Sequence, residues 1–287
     1  MSVRCDSSNS DENSTLSDLR ARLLSRTAKN LINFCDGTVV EEENADFNIL
    51  VTLKSSNPAR KCLCGAVLNV HGVKDVTTTV SDFYKQRSLD MRMMAEHKYG
   101  LRITSQPGWS EFLEKLGDAA VTIELLRNKP SQTVTIDVNN EFLSSRKGAP
   151  FILYNCARLA TLFKQFDNRV AKGVYRKLPE LADIDFSLLT QLEEWELLYI
   201  HILQFPCVIR NCMRDVTEGR IYPNLLISAL SSMSLCFSVY YRRIKILTEP
   251  REHIFPTMHA RIYLLKALEQ VVHNGLKLLD IQPVKQM

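Results

Sequence analysis

The sequence has none of the loops by which nucleotide-using proteins usually grip phosphates. Neither Gly-x-x-x-x-Gly-Lys nor Gly-x-Gly-x-x-Gly occurs among its ten glycines, which argues against a P-loop and a dinucleotide fold. Its six histidines include no His-Glu-x-x-His pair, so no zinc helix of that kind is expected. Cys62-x-Cys64, considered with Cys35 and His71, is too closely spaced for the Cys-x2–4-Cys knuckles of structural zinc sites. No Ser/His/Asp or Cys/His set emerges. Asp167, Asp183 and Asp185 read as helix caps, Glu193, Glu194 and Glu196 as a solvated face, and Cys207 and Cys212 as small apolar helix residues. No catalytic residue, metal ligand or cofactor is assigned. The longest apolar run, Leu225 to Tyr241, is interrupted by serines. It falls short of the roughly 20 residues of a membrane span. The polar, acidic start lacks both the apolar stretch of a signal peptide and the arginine-rich character of a transit peptide. With that start, the eight cysteines read as reduced thiols of a cytoplasmic protein. No internal repeat is visible.

What is present is an ordinary globular composition, 45% hydrophobic and 24% charged, enough for a sizeable core. The net charge of +4 says little by itself; its distribution says more. Residues 1–50 carry nine acids against five bases, whereas 145–180 carry eight bases against two acids and 240–287 eight against four. Basic excess at both ends of the second half fits a phosphate-facing surface, and equally a solvated face.

Residues 1–14 read as a disordered tail. Thr15 with Asp18 predicts a capped helix running to about Gly37. The acidic Glu41–Asn44 stretch reads as a loop. Phe47–Leu53 and Leu63–Val70 read as strands, the second entering a His71-Gly72 turn. Asp75 is expected to cap a helix over Thr77–Lys98 stopped by Gly100, and Ser110 one over Glu111–Arg127 stopped by Pro130. From Ala149 a helical period dominates and predicts helices over 150–166, 186–215, 221–247 and 254–279, an antiparallel bundle.

Phe151–Phe163 forms an amphipathic helix in which Tyr154 and Arg158 stand at i and i+4, one above the other on a single face. A ring, a hydroxyl and a guanidinium fork so arranged suit an unstacked RNA base or a phosphate. A snorkelling arginine on a plain helix is the bland alternative.

This segment resembles the Tyr-x-x-x-Arg helix that opens the anticodon-binding domain of arginyl-tRNA synthetases, the DALR domain. Gly117-Asp118-Ala119-Ala120-Val121 is similar to the Asp-Ala-Leu-Arg signature, with Asp118 and Ala119 matching and Ala120 and Val121 replacing the Leu and Arg. Leu125-Leu126, Val134–Asp137, the aromatic helix end Tyr240-Tyr241-Arg242-Arg243-Ile244-Lys245, and the tail from Ala260-Arg261 through Asn274-Gly275 to Met287 continue the likeness over residues 116–287. In front of it, Cys64–Leu68 with His71–Lys74 resembles the strand and turn before the lysine-containing ATP loop of class I synthetases. Here that loop reads Lys74-Asp75-Val76-Thr77-Thr78-Thr79, with an acid that would repel a triphosphate, and no His-x-Gly-His turn occurs anywhere. Residues 15–115 therefore read as a degenerate remnant whose catalytic front is missing.

The resemblance implies a mainly α protein, an antiparallel helical bundle of DALR type over 116–287 behind a small degenerate α/β remnant. It implies a non-catalytic adaptor for arginine tRNAs that presents them to a 3-methylcytidine tRNA methyltransferase, as in a non-synthetase branch of the family, with no DNA and no membrane partner. The tRNA-binding residues so implied are Tyr154, Arg158, Lys164, Arg176, Lys177, Tyr240, Tyr241, Arg242, Arg243, Lys245, Arg261 and Met287. His259 beside Arg261 is a further candidate. The alternative is a helical interaction module that docks to a synthetase or modification complex without touching RNA.

Overall fold

Thr15 opens the first helix as its sequence predicts. In the computed structural model, which describes residues 1–6, 14–35, 37, 48–54, 61–100, 109–137 and 148–284, helix α1 spans Leu16–Phe34. The Thr15 hydroxyl accepts the Asp18 N–H at 3.3 Å and Asp18 accepts the Thr15 N–H at 3.0 Å, a reciprocal cap of a kind that contributes about 1 kcal/mol. The helix stops at Cys35 rather than near Gly37 because the Cys35 N–H closes onto the carbonyls of Leu31 and Ile32. The Glu41–Asn44 loop, Arg146, Lys147 and Met287 lie outside the described residues.

The tail expected to be disordered is corrected at its start. Ser2–Cys5 form strand β1, parallel to β2 (Asn48–Thr52), which pairs in parallel with β3 (Lys61–Leu63) in the order β1-β2-β3. Parallel neighbours need a crossover, and α1 supplies it, packing on both strands. The strand escaped notice because backbone pairing holds it: Val3 is its buried apolar anchor, and the Ser2 hydroxyl donates to Asn48 Oδ1 at 2.6 Å.

The strand expected over Leu63–Val70 is split. After β3 the chain crosses to β4 (Val67–Leu68), which pairs in parallel with β5 (Val134–Thr135). At the crossing a Cβ on Gly65 would stand 2.3 Å from the Gln132 carbonyl oxygen, so only glycine fits. Arg20 clasps this point from α1. Buried, it donates from Nε to Leu125 O at 2.9 Å and from one terminal nitrogen to the carbonyls of Gly65 and Gln132, each at 2.6 Å.

Asp75 does not cap a helix. It is buried and receives the N–H groups of Thr77 and Thr78 at 3.0 and 2.9 Å and the Thr78 hydroxyl at 2.8 Å. Its carboxylate is spent on the turn and is not presented to a ligand. Helix α2 (Val80–Tyr99) starts later, capped by Thr79. It packs along α3 (Trp109–Leu126) so closely that a Cβ on Gly117 would come within 2.9 Å of the Ser88 Cα. Ser110 lies inside the first turn of α3 rather than at its cap. Between the two helices the buried Arg87 bridges Glu124 (2.8 Å) and Asp90 (2.9 Å).

The helical half contains α4 (Ala149–Ala171), α5 (Leu192–Glu196) continuing into a π-helical stretch (Leu197–Ile202), α6 (Phe205–Met213), α7 (Pro223–Arg243) and α8 (Phe255–Leu278). The single helix expected over 186–215 is therefore several pieces. Pro206 sits in the first turn of α6, where its missing N–H is harmless but continuation from the preceding helix is not. One apolar cluster runs from the sheet through the bundle without a break. The boundary expected after residue 115 falls inside α3, and α1 packs against α8 as well as the sheet.

Candidate nucleic-acid interface

The first half of α4 carries Tyr154 and Arg158 on its half-buried side. Arg158 donates to the Tyr154 hydroxyl at 2.8 Å, and its Cζ lies 4.4 Å from the Tyr154 ring centroid. Tyr241, from the last turn of α7, offers a second ring 4.7 Å from the same Cζ. Buried Asn155 spends its amide on the Phe151 carbonyl at 2.9 Å, and its oxygen accepts from Arg158 at 3.3 Å. The guanidinium is thus held by two rings, a hydroxyl and an amide. Among the described residues no carboxylate pairs with it. A fixed, unneutralised guanidinium on aromatic faces can take a phosphate by its fork or stack beneath a base.

Arg242 is exposed, its Nε donating to the Ser238 carbonyl at 3.3 Å. Lys164, Lys177 and Lys245 are exposed with no ion pair among the described residues. Arg176 forms a surface pair with Glu252, of a kind that contributes about 0–1 kcal/mol and exchanges readily.

Two expected RNA contacts, Tyr240 and Arg261, are engaged inside the bundle. Tyr240 is fully buried and donates to Glu194 Oε1 at 2.8 Å, and Arg261 Nε donates to the same oxygen at 2.7 Å. Arg243 pairs with Glu193. Glu193 and Glu194 are therefore not a solvated face but the buried anions that fasten α5 to α7 and α8. Burial, and then the adjacent Glu194 charge, push the Tyr240 hydroxyl well above its ordinary range. His259 is buried too, stacked on Phe255 at 5.9 Å, and burial and then Arg176 push its pKa down. The expectation that it reaches RNA is withdrawn with that of Arg261.

One group of possible metal ligands occurs among the described residues: Glu196, His201 and Cys236, with one atom of each within 4.8 Å of the others. Burial, and then Glu196, push the Cys236 thiol up to about 12. Glu196 ends α5 and is half-buried, while His201 of the π stretch and Cys236 of α7 are buried. Cys62 and Cys64 are likewise buried, their thiols pushed up by burial to about 11 and about 12.

Sequence reasoning missed how Tyr241 and Asn155 join Arg158, because Tyr241 comes from another helix and Asn155 has the position of a core residue. It also missed Trp195 and Tyr199, exposed and stacked on each other with centroids 5.6 Å apart. A signal was present there, since no lysine or arginine occurs between Lys177 and Arg210.

The helical half has known counterparts. Residues 152–287 match the family model of the DALR anticodon binding domain. Over those residues the chain is similar to the DALR family. The DALR anticodon-binding domain-containing protein 3 of Rattus norvegicus is 32% identical over 78% of this chain and 42% of its own length. That of Danio rerio is 31% identical over 79% and 42%. The chain therefore spans less than half the length of these relatives. The arginine–tRNA ligase of Clostridium kluyveri is 28% identical over 62% of this chain and 28% of its own. In fold, the arginyl-tRNA synthetase of Thermus thermophilus superposes with a TM-score of 0.65 at 16% identity, covering 85% of this chain and 41% of that one. The likeness in fold thus extends beyond the DALR half, as the mainly α bundle behind a small α/β portion implies.

Proposed function

We propose that the chain is a non-catalytic, cytoplasmic tRNA-binding adaptor that recognises arginine tRNAs and presents them to a tRNA 3-methylcytidine methyltransferase. The observation that carries RNA binding is Arg158, unneutralised among the described residues and fixed between Tyr154 and Tyr241 within a domain of the anticodon-binding family. Arg242, Lys245, Lys164, Arg176 and Lys177 add phosphate contacts. The choice of arginine tRNAs is supported by the arginine–tRNA ligases among the relatives. The methyltransferase step is supported by the family resemblance alone. A non-catalytic role is supported by the missing His-x-Gly-His turn and by Asp75, whose carboxylate fills a turn where a class I enzyme keeps its ATP loop.

Binding of an arginine tRNA and a serine tRNA across a salt series tests the reading. The arginine tRNA is expected to bind more tightly, with log affinity falling against log salt at a slope of about −3 or steeper, each neutralised phosphate adding roughly −0.7 to −0.9. A flat salt response, or equal affinity for both tRNAs, would overturn it. So would arginine-dependent pyrophosphate exchange clearly above background.

A further inference from the structure

Between Lys177 and Arg210 the chain carries no basic residue except His201, while Glu180, Asp183, Asp185, Glu193, Glu194 and Glu196 supply carboxylates. Glu193 and Glu194 are consumed by Arg243 and Arg261. The other four form no ion pair among the described residues. Within this acidic stretch the outward side of α5 and its π continuation is apolar. Leu192, Trp195, Tyr199, Ile200 and Leu203 are all exposed, Leu192 at 76%, Ile200 at 59% and Tyr199 at 56%. The inward side of the same helix, with Leu197 and the two buried carboxylates, is already packed on α7 and α8. The element is thus apolar on two sides with only one covered. Scattered exposed leucines need no explanation, but a continuous stripe with a stacked Trp–Tyr pair marks an interaction surface.

We propose that this face docks an amphipathic helix of a partner protein whose apolar stripe is flanked by lysine or arginine. The charge pattern selects that occupant. A phosphate backbone would meet carboxylates with no base to neutralise it. A second copy of the same face, related by a twofold axis, would set acid against acid. A basic helix satisfies both the stripe and the carboxylates of Asp183 and Asp185, whose shared neighbour Ile184 packs in one small cluster with Leu198 and Ile202 of the same element. The inference rests on the adaptor reading only for its use, giving the protein partner a surface separate from the Arg158 cluster.

The test uses the full chain and a labelled synthetic helical peptide of leucine and lysine, beside a leucine and glutamate peptide with the same apolar positions. The lysine peptide is expected to bind at least about tenfold more tightly than the glutamate peptide, and to lose about tenfold or more on Tyr199→Lys and on Ile200→Lys. It should be unaffected by Leu235→Lys, an exposed leucine on α7. Equal binding of the two peptides, or indifference to the Tyr199 and Ile200 changes, would overturn the proposal. A wild-type dimer dissolved by Tyr199→Lys would overturn it in favour of a second copy. A fall in tRNA affinity on Tyr199→Ala would overturn it in favour of an RNA platform. Failure of the wild type to bind tRNA, with peptide binding intact, sinks the adaptor reading and leaves this surface standing.

Discussion

Tyr240 and Tyr241 are neighbours in the chain but serve different parts of the molecule. The Tyr240 hydroxyl donates to buried Glu194 at 2.8 Å, while the Tyr241 ring lies 4.7 Å beneath Arg158. Successive helical residues diverge by about 100°, so one faces the interior and the other the α4 groove. One tyrosine holds the bundle together and the other completes the candidate site.

Tyr241→Ala and Tyr154→Ala are each expected to weaken tRNA binding by about 1–3 kcal/mol through lost stacking. Arg158→Ala should lose a similar amount, and Arg158→Lys should recover little, because an ammonium cannot replace the planar fork. Binding isotherms paired with melting curves check this. Unchanged affinity in folded Arg158→Ala protein would remove the site.

Arg261→Ala should act on stability and not on RNA. It strips a 2.7 Å contact from a fully buried carboxylate, a change that typically costs about 3–5 kcal/mol. Glu194→Gln should be milder, since an amide oxygen can still accept from Tyr240. A denaturant midpoint that does not move for Arg261→Ala would refute the internal role.

Acid should erase the contribution of Asp75. Burial alone would raise its pKa, but the hydrogen bonds from Thr78 and Thr77 outweigh burial and hold it below the ordinary carboxylate range. A depressed folded pKa gives stability that is fully present above the unfolded value of about 3.9 and is lost as pH falls through the folded value. The stability difference between wild type and Asp75→Ala should therefore be constant near neutrality and shrink below about pH 4. A difference that grows on acidification contradicts this assignment.

Residues 116–287 should not fold cooperatively by themselves. That cut removes the first turns of α3 and all of α1, whose Leu24, Leu31 and Ile32 belong to the same core as the bundle. Arg20→Met in the full chain should likewise destabilise, because the carbonyls of Leu125, Gly65 and Gln132 lose a charged donor worth roughly 1.5–3 kcal/mol each. A sharp melting transition of the fragment equal to that of the full chain would show two independent units.

By itself the sequence determined what depends on local order along the chain. The Thr15–Asp18 cap, the long apolar-striped helices α4, α7 and α8, and the Tyr154–Arg158 pair all follow from spacing that a helix converts directly into contact. Tertiary structure decided everything that depends on which side of an element finds a partner. An arginine beside tyrosines reads the same whether it faces solvent or a buried carboxylate, so only packing could separate Arg158 from Arg261. Glu193 and Glu194 have the pattern of surface acids until α7 and α8 bring Arg243 and Arg261 to them. Ser2–Cys5 has the composition of a polar tail until β2 supplies hydrogen bonds that no side-chain pattern encodes. The exposed stripe from Leu192 to Leu203 reads as core until the fold leaves it uncovered, because hydrophobic periodicity fixes a helix face but not what packs against it.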